Sequence, residues 1–507
     1  MCRRVQGRSG GSSGCLRTRP LARGPPAQTR ITHRDDALAH TFRRSVADLG
    51  ALRIPSPDGS DRIVVAAGMP WFMTLFGRDS LIAAYMALPF APGLAIGSLE
   101  VLAAFQGQRV DRDSAEEPGK ILHELRAGPL ADRRGFMGNV YYGTVDASLL
   151  FVTLVAEVHR WGVAPDSVDR LVPAVERCLD WALTYGDADG DGFVEYRREG
   201  RRGLVNHAWK DSGDAIQSAD GDLARGPIAM IEVQGYLVDA LRSGADLLEA
   251  HGAGVERVAD LRRRAAEIAT RIEAAFQVDV SLAGSDYLGL ALDGRKRVVD
   301  ALASNMGHLL WSRAVRPPVA ERIASHLVGE PLFGGWGVRT LATTNAGFLP
   351  VSYHRGSIWP HDNALIVHGL ARYGLTSPMD RVSAGLLRAA AAFDFGLPEL
   401  FAGIADDGHG FPVAYPAASR PQAWAAAAPL LLLRAWLGLE VDVPGRRQWI
   451  SPSLPDGIDR LELRGLAIGR ALVDISWSSG QIDVDGLPAD LTVINERAPI
   501  ALPGNAP

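Results

Sequence analysis

Residues 70–107 read "PWFMTLFGRDSLIAAYMALPFAPGLAIGSLEVLAAFQG". Two patterns meet in this stretch. Up to Asp79 it is aromatic and polar, with Trp71, Phe72 and Phe76 followed by the pair Arg78–Asp79. From Ser80 onward apolar residues recur at i, i+3, i+4 and i+7, the spacing of a buried helix face. A charged pair at such a junction needs a partner, because an unpaired charge beside apolar surface is costly. That partner need not be protein.

The same helical spacing runs from about Asp36 to Leu437. It is clear in "TVDASLLFVTLVAEVHRWG", "VDRLVPAVERCLDWALTYG", "IAMIEVQGYLVDALRSGADLLEAHG" and "VERVADLRRRAAEIATRIEAAF". It continues through "VVDALASNMGHLLW", "VAERIASHLVG", "SIWPHDNALIVHGLARYG", "MDRVSAGLLRAAAAFDF" and "PQAWAAAAPLLLLRAWLG". With a helix near 37–49 the pattern predicts about eleven helical stretches. Alternate connections are rich in Gly, Trp, His, Asp and Pro, and are too long for simple bundle turns. Helical hairpins with elaborate loops at one end predict an all-α toroid whose loops form a pocket. No repeat is sharp enough for a solenoid. After "LEVDVPGRRQW" the period changes to two in "RLELRGLAIG", "ALVDISWSSG", "QIDVDG" and "LTVINE", which predicts short strands. The expected organisation is a tail at 1–35, a helical catalytic domain at 36–440 and a small β extension at 441–507.

Bulk composition narrows the class. The chain is 47% hydrophobic and 22% charged with a net charge of −5, ordinary globular values without the basic face of a nucleic-acid binder. No run of 18 apolar residues predicts a membrane span. Cys2, Cys15 and Cys178 form no disulfide framework, which suits a reducing, cytoplasmic setting. The Arg-, Gly- and Pro-rich first 30 residues lack the apolar segment of a secretory signal. They read as a tail or a mistaken start.

Five loops carry more polar and aromatic residues than packing requires: 70–80, 205–215, 352–363, 395–403 and 415–424. Trp faces stack on sugar C–H groups, and forked Arg and carboxylate groups match paired hydroxyls, so the mixture predicts a carbohydrate site. Hydrolysis of a glycosidic bond needs one protonated and one ionised carboxyl. The loops supply Asp79, Asp211, Asp214, Asp362 and Glu399.

At this point a family resemblance emerges. "AGMPWFMTLFGRDSLIA", "GLVNHAWKDSGDAI", "PIAMIEVQGY", "YHRGSIWPHDNALI", "LPELFAG" and "YPAASRPQAWAAAAPLLLL" resemble, in order, the bacterial amylo-α-1,6-glucosidases. These are glycogen-debranching-type enzymes of the six-hairpin clan, which also holds glucoamylases, trehalases and mannosylglycerate hydrolases. The resemblance implies an (α/α)6 barrel over about 36–440 and an inverting reaction. It implies Asp211 of "AWKD" as general acid and Glu399 of "LPELFAG" as general base, their carboxyls about 6.5–9.5 Å apart. It implies that Arg78 and Asp79 grip sugar hydroxyls, and it matches Arg355 and Trp359 to an "RGxxW" block at the same pocket. The substrate-binding set is completed by Trp71, Phe76, Asp146, Trp209, Lys210, His361, Gln422 and Trp424. No metal or cofactor is expected.

Alternatives stand beside these assignments. Asp79 and Asp211 also suit helix N-caps, and Asp214 competes with Asp211 for the acid role. Glu232 in "IAMIEVQGY" is either a pocket residue or a satisfied buried acid. Asp146 caps or lines the barrel mouth. Glu116 and Glu117 suggest a subsite loop within 111–130, and closure of a pocket by that loop would favour a small substrate. His361 and Asp362 read as support rather than as catalysts. Lys210 is expected to face away from Asp211, since its ammonium would oppose a raised pKa there. "DADGDGFVEY" (187–196) matches half of a calcium loop but has Arg198 where the bidentate acid belongs. Many family members carry an N-terminal β-sandwich, and the expectation here is a barrel without one. The favoured reading is an inverting α-glycosidase acting on α-1,6-linked glucosyl residues of glycogen or limit dextrin, or on related α-glucosides. The rivals are a hydrolase of a small glycoside, such as trehalose or glucosyl- or mannosyl-glycerate, and a non-catalytic carbohydrate-binding toroid.

Overall fold

A computed structural model describes residues 36–126, 139–198, 200, 203–279, 286–408, 410–478 and 480–500. The tail at 1–35, the end of the 111–130 loop and the last seven residues lie outside these. The opening stretch holds two helices rather than one. Helix α2 spans Gly77–Ala87 and α3 spans Pro92–Ala104. Pro89 and Pro92 lack an N–H and disfavour helical backbone in the residue before them. Pro92 sits in the first turn of α3, where the missing N–H is no loss.

Among the described residues ten further helices follow the same plan: α1 (Asp36–Ala51), α4 (Ala147–Arg160), α5 (Pro165–Ala182), α6 (Ile231–Ala250), α7 (Val255–Ala275), α8 (His308–Trp311), α9 (Pro317–Leu327), α10 (Pro360–Tyr373), α11 (Thr376–Ala392) and α12 (Ala423–Leu437). Every residue of α2 and of α12 is buried. By contrast α7 buries one stripe, Val258, Leu261, Ala265, Ile268, Ala269 and Ile272, and turns its Arg and Glu residues to solvent. That difference sorts the helices. Helix α2 packs on α4, α4 on α6, α6 on α8, α8 on α10, α10 on α12, and α12 returns to α2. The helices that bury one side lie against these, α3 on α2, α5 on α4, α7 on α6, α11 on α10 and α1 on α12. An all-round apolar helix is stable only when covered on every side, which places α2 and α12 inside and the one-sided helices outside them.

One predicted helix forms only in part. Val298–Val299 pair as a strand with Ala291–Leu292, Ser304–Gly307 form a 3-10 turn, and only His308–Trp311 are α-helical. Paired β-branched residues favour the strand. The β extension follows its predicted strands closely. Arg460–Ile468, Ala471–Ser478 and Gln481–Asp485 form an antiparallel sheet, and Glu440–Asp442, Arg447–Trp449 and Thr492–Ile494 form a second sheet.

The C-terminal turns of the buried helices are tied by an ionic knot. Arg434 of α12 reaches Glu157 of α4 at 2.5 Å and Glu440 at 2.7 Å, and Arg372 of α10 reaches Glu440 at 2.8 Å. Elsewhere the acidic turn at 187–196 receives a lysine. Lys296 Nζ lies 2.8 Å from Asp189, 2.7 Å from Asp191 and 2.7 Å from Glu195. Cys178 is buried and receives a hydrogen bond from Gln106. No helix among the described residues is long and apolar enough to cross a membrane.

Candidate functional site

At the other end, the buried helices present their first turns. Arg78 and Asp79 open α2, Asp146 precedes α4, Glu232 opens α6, His361 and Asp362 open α10, and Gln422 precedes α12. Helix N-termini carry partial positive charge, which favours carboxylates there. Gly77 lets the chain close tightly at this point. Its N–H donates to the His123 carbonyl at 2.8 Å, and a Cβ would lie 2.1 Å from the Leu122 oxygen.

Arg78 is the hub. Its Nη1 donates to both oxygens of Asp146 at 3.0 Å and its Nη2 to Asp211 at 3.1 Å. Thr144 donates to Asp146 at 2.6 Å, and Gln422 donates to Asp79 at 3.0 Å. Glu399 accepts the Ser419 N–H at 2.8 Å and the Tyr353 hydroxyl. Thus the α5–α6 connection delivers Asp211 and the α11–α12 connection delivers Glu399 to the same group of charges.

Crowded carboxyls in a buried place cannot all ionise freely. Burial pushes Asp79 up to about 7; Arg78 resists, while Glu399 and Asp211 add to the rise. Burial pushes Asp211 up to about 6, against Arg78 and with help from Asp146. Glu399 is also raised, by burial first, while its hydrogen bonds from Ser419 and Tyr353 favour the ionised form. The Asp211 side chain is 25% exposed and that of Arg78 only 3%, so of this ion pair the carboxyl is the group open to a ligand.

An aromatic floor lies beside these groups. Trp209 stands edge-on to Trp359 and to His361, Trp359 edge-on to Trp424, and His361 lies flat on Trp424 at 3.7 Å. Several buried polar atoms here have no protein partner: Arg78 Nε, Trp209 Nε1, Trp424 Nε1, Gln422 Oε1 and both His361 nitrogens. Buried polar atoms are normally satisfied, so the cluster suits a ligand rich in hydroxyls.

The remaining predicted residues fall in three places. Trp71 is 59% exposed on the rim, its Nε1 bonded to the Ala417 carbonyl. Phe76 is buried, edge-on to Phe72 and His123. Lys210 and Arg355 point elsewhere. Lys210 Nζ donates to the Thr340 carbonyl at 2.5 Å, away from Asp211, and burial lowers it to about 8 in spite of Asp362 and Glu232. Arg355 pairs with Asp214 at 2.9 Å, and that Asp is half exposed. Asp362 accepts from His308 at 2.7 Å beneath the floor, and Glu232 is fully buried close to Lys210. Sequence reasoning missed Tyr353, Ser419 and Thr144. Tyr353 stood inside a polar, aromatic loop as one ring among many. Ser419 acts through its backbone N–H, which no residue type announces.

A family model, the mannosylglycerate hydrolase MGH1-like glycoside hydrolase domain, matches residues 147–425. The chain belongs to that family. This MGH1-like glycoside hydrolase resembles solved structures of low sequence identity. The GH63 mannosylglycerate hydrolase from Thermus thermophilus, solved with glucose, matches with a TM-score of 0.57 at 15% identity, over 78% of this chain and 100% of that one. The GH78 rhamnosidase of a Bacillus species matches with a TM-score of 0.65 at 16% identity, over 92% of this chain but only 43% of the rhamnosidase. At such identities the likeness is one of fold. No curated protein sequence matches.

Proposed function

We propose that this MGH1-like glycoside hydrolase is an inverting α-glycosidase, its helices at about 36–440 forming an (α/α)6 toroid and the strands beyond forming an appendage. One observation carries the reading. Asp211 and Glu399, from separate connections, stand in one buried group of charges with Arg78 and Asp79 at a single end of the helical ring. Asp211 gives its proton to the leaving oxygen. Glu399 takes a proton from a water, which attacks the anomeric carbon from the opposite face as the C–O bond breaks. Arg78 holds Asp211 and Asp146 in position, Asp79 and Gln422 hold hydroxyls, and Trp209, Trp359 and Trp424 form the apolar wall of the sugar subsite.

The substrate proposed first is an α-1,6-linked glucosyl unit or related α-glucoside. The family's own description favours a second reading, a small glycoside of the mannosylglycerate type. Turnover of limit dextrin, isomaltose, trehalose, glucosylglycerate and mannosylglycerate separates the two. Hydrolysis of none of them would defeat the glycosidase reading and leave a binding toroid.

The pH profile is a second check. Asp211 must be protonated, and burial sets it at about 6. Activity therefore falls as pH rises through about 6. Glu399 must be ionised and is raised above its ordinary value, so activity also falls on the acid side. A kcat/KM profile with an acidic optimum is expected. A profile flat from about pH 5 to 9 would contradict the assignment.

A further inference from the structure

The ionic knot, at the end of the helices away from the sugar site, borders a cavity of about 20 Å³. One water needs about 10–15 Å³ of cavity, so the space admits a guest of one or two heavy atoms and no sugar. It lies between the ends of α10 and α12 and the segment 497–500. Four arginines line it, Arg313, Arg372, Arg434 and Arg497, with His368 and a single carboxylate, Glu440. Burial and Arg372 push the His368 imidazole well below its ordinary value, so it stays neutral. Arg497 lays its guanidinium against Gly374, where an added Cβ would come within 2.0 Å of Nη1.

The charges here do not balance. Arg160, Arg372 and Arg434 share Glu157 and Glu440, and Arg313 reaches Asp239 at 3.4 Å. With Arg497 added, the positive groups outnumber these acids. Carbonyls at the helix ends offset part of the excess, and two of them already hold arginine groups. Arg434 Nε donates to the Leu439 carbonyl at 3.1 Å and Arg372 Nη1 to that of Trp311. Arg434 shows where the excess falls. Its Nη2 serves Glu157 and Glu440, while its buried Nη1 has no protein partner among the described residues. Leaving a buried charged donor unmet is costly. Tyr85 and Trp161 cover the guanidinium, 5.3 and 5.2 Å from their ring centres, so one edge is left to a ligand.

We propose that this cavity is a binding site for one monatomic anion of the chloride class, held by the Nη1 edge of Arg434 and closed by Arg497. Carboxylates and phosphates match arginine better in shape, but neither fits in about 20 Å³. A water fits and leaves the charge excess in place. The site acts on cohesion and is independent of which glycoside is cleaved.

The test is thermal melting of the full chain near pH 7, in sodium chloride or sodium methanesulfonate at equal ionic strength. A ligand that binds only the folded state raises the melting point with its concentration. Wild type is expected to melt roughly 2 °C higher in about 0.2 M chloride. Arg434→Met removes the N–H edge and should abolish the difference. That variant is weakened for other reasons, so Arg497→Gln, on the exposed side, is measured beside it. It should keep the wild-type melting point in methanesulfonate and cut the chloride effect below roughly 1 °C. Crystals grown in sodium bromide should show an anomalous peak beside Arg434 Nη1. Equal melting of wild type in the two salts, a chloride effect that either variant retains in full, or a cavity without bromide overturns the proposal.

Discussion

Asp211→Asn should lower kcat at least ~10²-fold on any glycoside whose leaving oxygen needs a proton, the lower end of what a positioned acid supplies. It should spare glycosyl fluorides, because fluoride departs without that proton. Glu399→Gln should lose both, since both reactions need an activated water. Asp214→Asn should change little, because Asp214 is half exposed and its partner is Arg355. This triple pattern separates the roles; loss in Asp214→Asn with survival in Asp211→Asn would exchange them. Stability supplies an independent readout. The Asp211 carboxyl is raised in the folded protein, so its contribution to stability is complete below its unfolded value and is lost as pH rises through about 6. The amide has no such dependence. Asp211→Asn is therefore expected to melt roughly 1–2 °C above wild type at about pH 8 and not at about pH 4. A variant that is less active and also less stable at both pH values would point to a structural role.

How much of this was legible in the sequence depended on which contacts were local. The helix pattern needs only neighbours along the chain, so the helical stretches were readable and only their punctuation was misjudged. Pro89 and Pro92 split one stretch, and Val298–Val299 pulled half of another into a sheet. Loop chemistry was readable too, since "GRDS", "AWKD" and "LPELFAG" are dense in polar residues where packing asks for none. Partnership was not. That Lys210 turns away from Asp211 follows from charge alone, but its partner, the Thr340 carbonyl, and Arg78 as the partner of Asp211 do not. Arg78 itself joins Asp146 and Asp211, a convergence that only the closed ring of helices creates. The calcium-like turn shows the same limit. Its carboxylates were visible, but Lys296 is remote from Glu195 in the chain.

Arg434→Met is expected to cost about 3 kcal/mol of stability while leaving the kcat of the folded protein unchanged. Arg434 is 1% exposed and is shared by Glu157 and Glu440. Removing one member of a buried ionic group strands the others, which typically costs about 3–5 kcal/mol. The lower value applies because Arg160 remains 3.3 Å from Glu157 and Arg372 remains 2.8 Å from Glu440. Arg434→Lys should fall between, since a lysine cannot also reproduce the Nε bond to the Leu439 carbonyl. The pH dependence has a definite sign. Neighbouring arginines hold Glu157 and Glu440 below their ordinary values, overcoming burial. Their stabilisation is present above the unfolded value, about 4.3, and disappears as pH falls below it. The melting gap between wild type and Arg434→Met should therefore be widest near neutrality and narrow in acid, opposite to the Asp211 case. The knot occupies the C-terminal turns of α4, α10 and α12, whose first turns face the sugar site. The length of α10 at about 1.5 Å per residue puts the knot roughly 20 Å from that helix's first turn. Equal kcat at equal folded concentration, with a lower melting point, would show that one set of helices carries chemistry at one end and cohesion at the other; a kcat loss matching the stability loss would join the two.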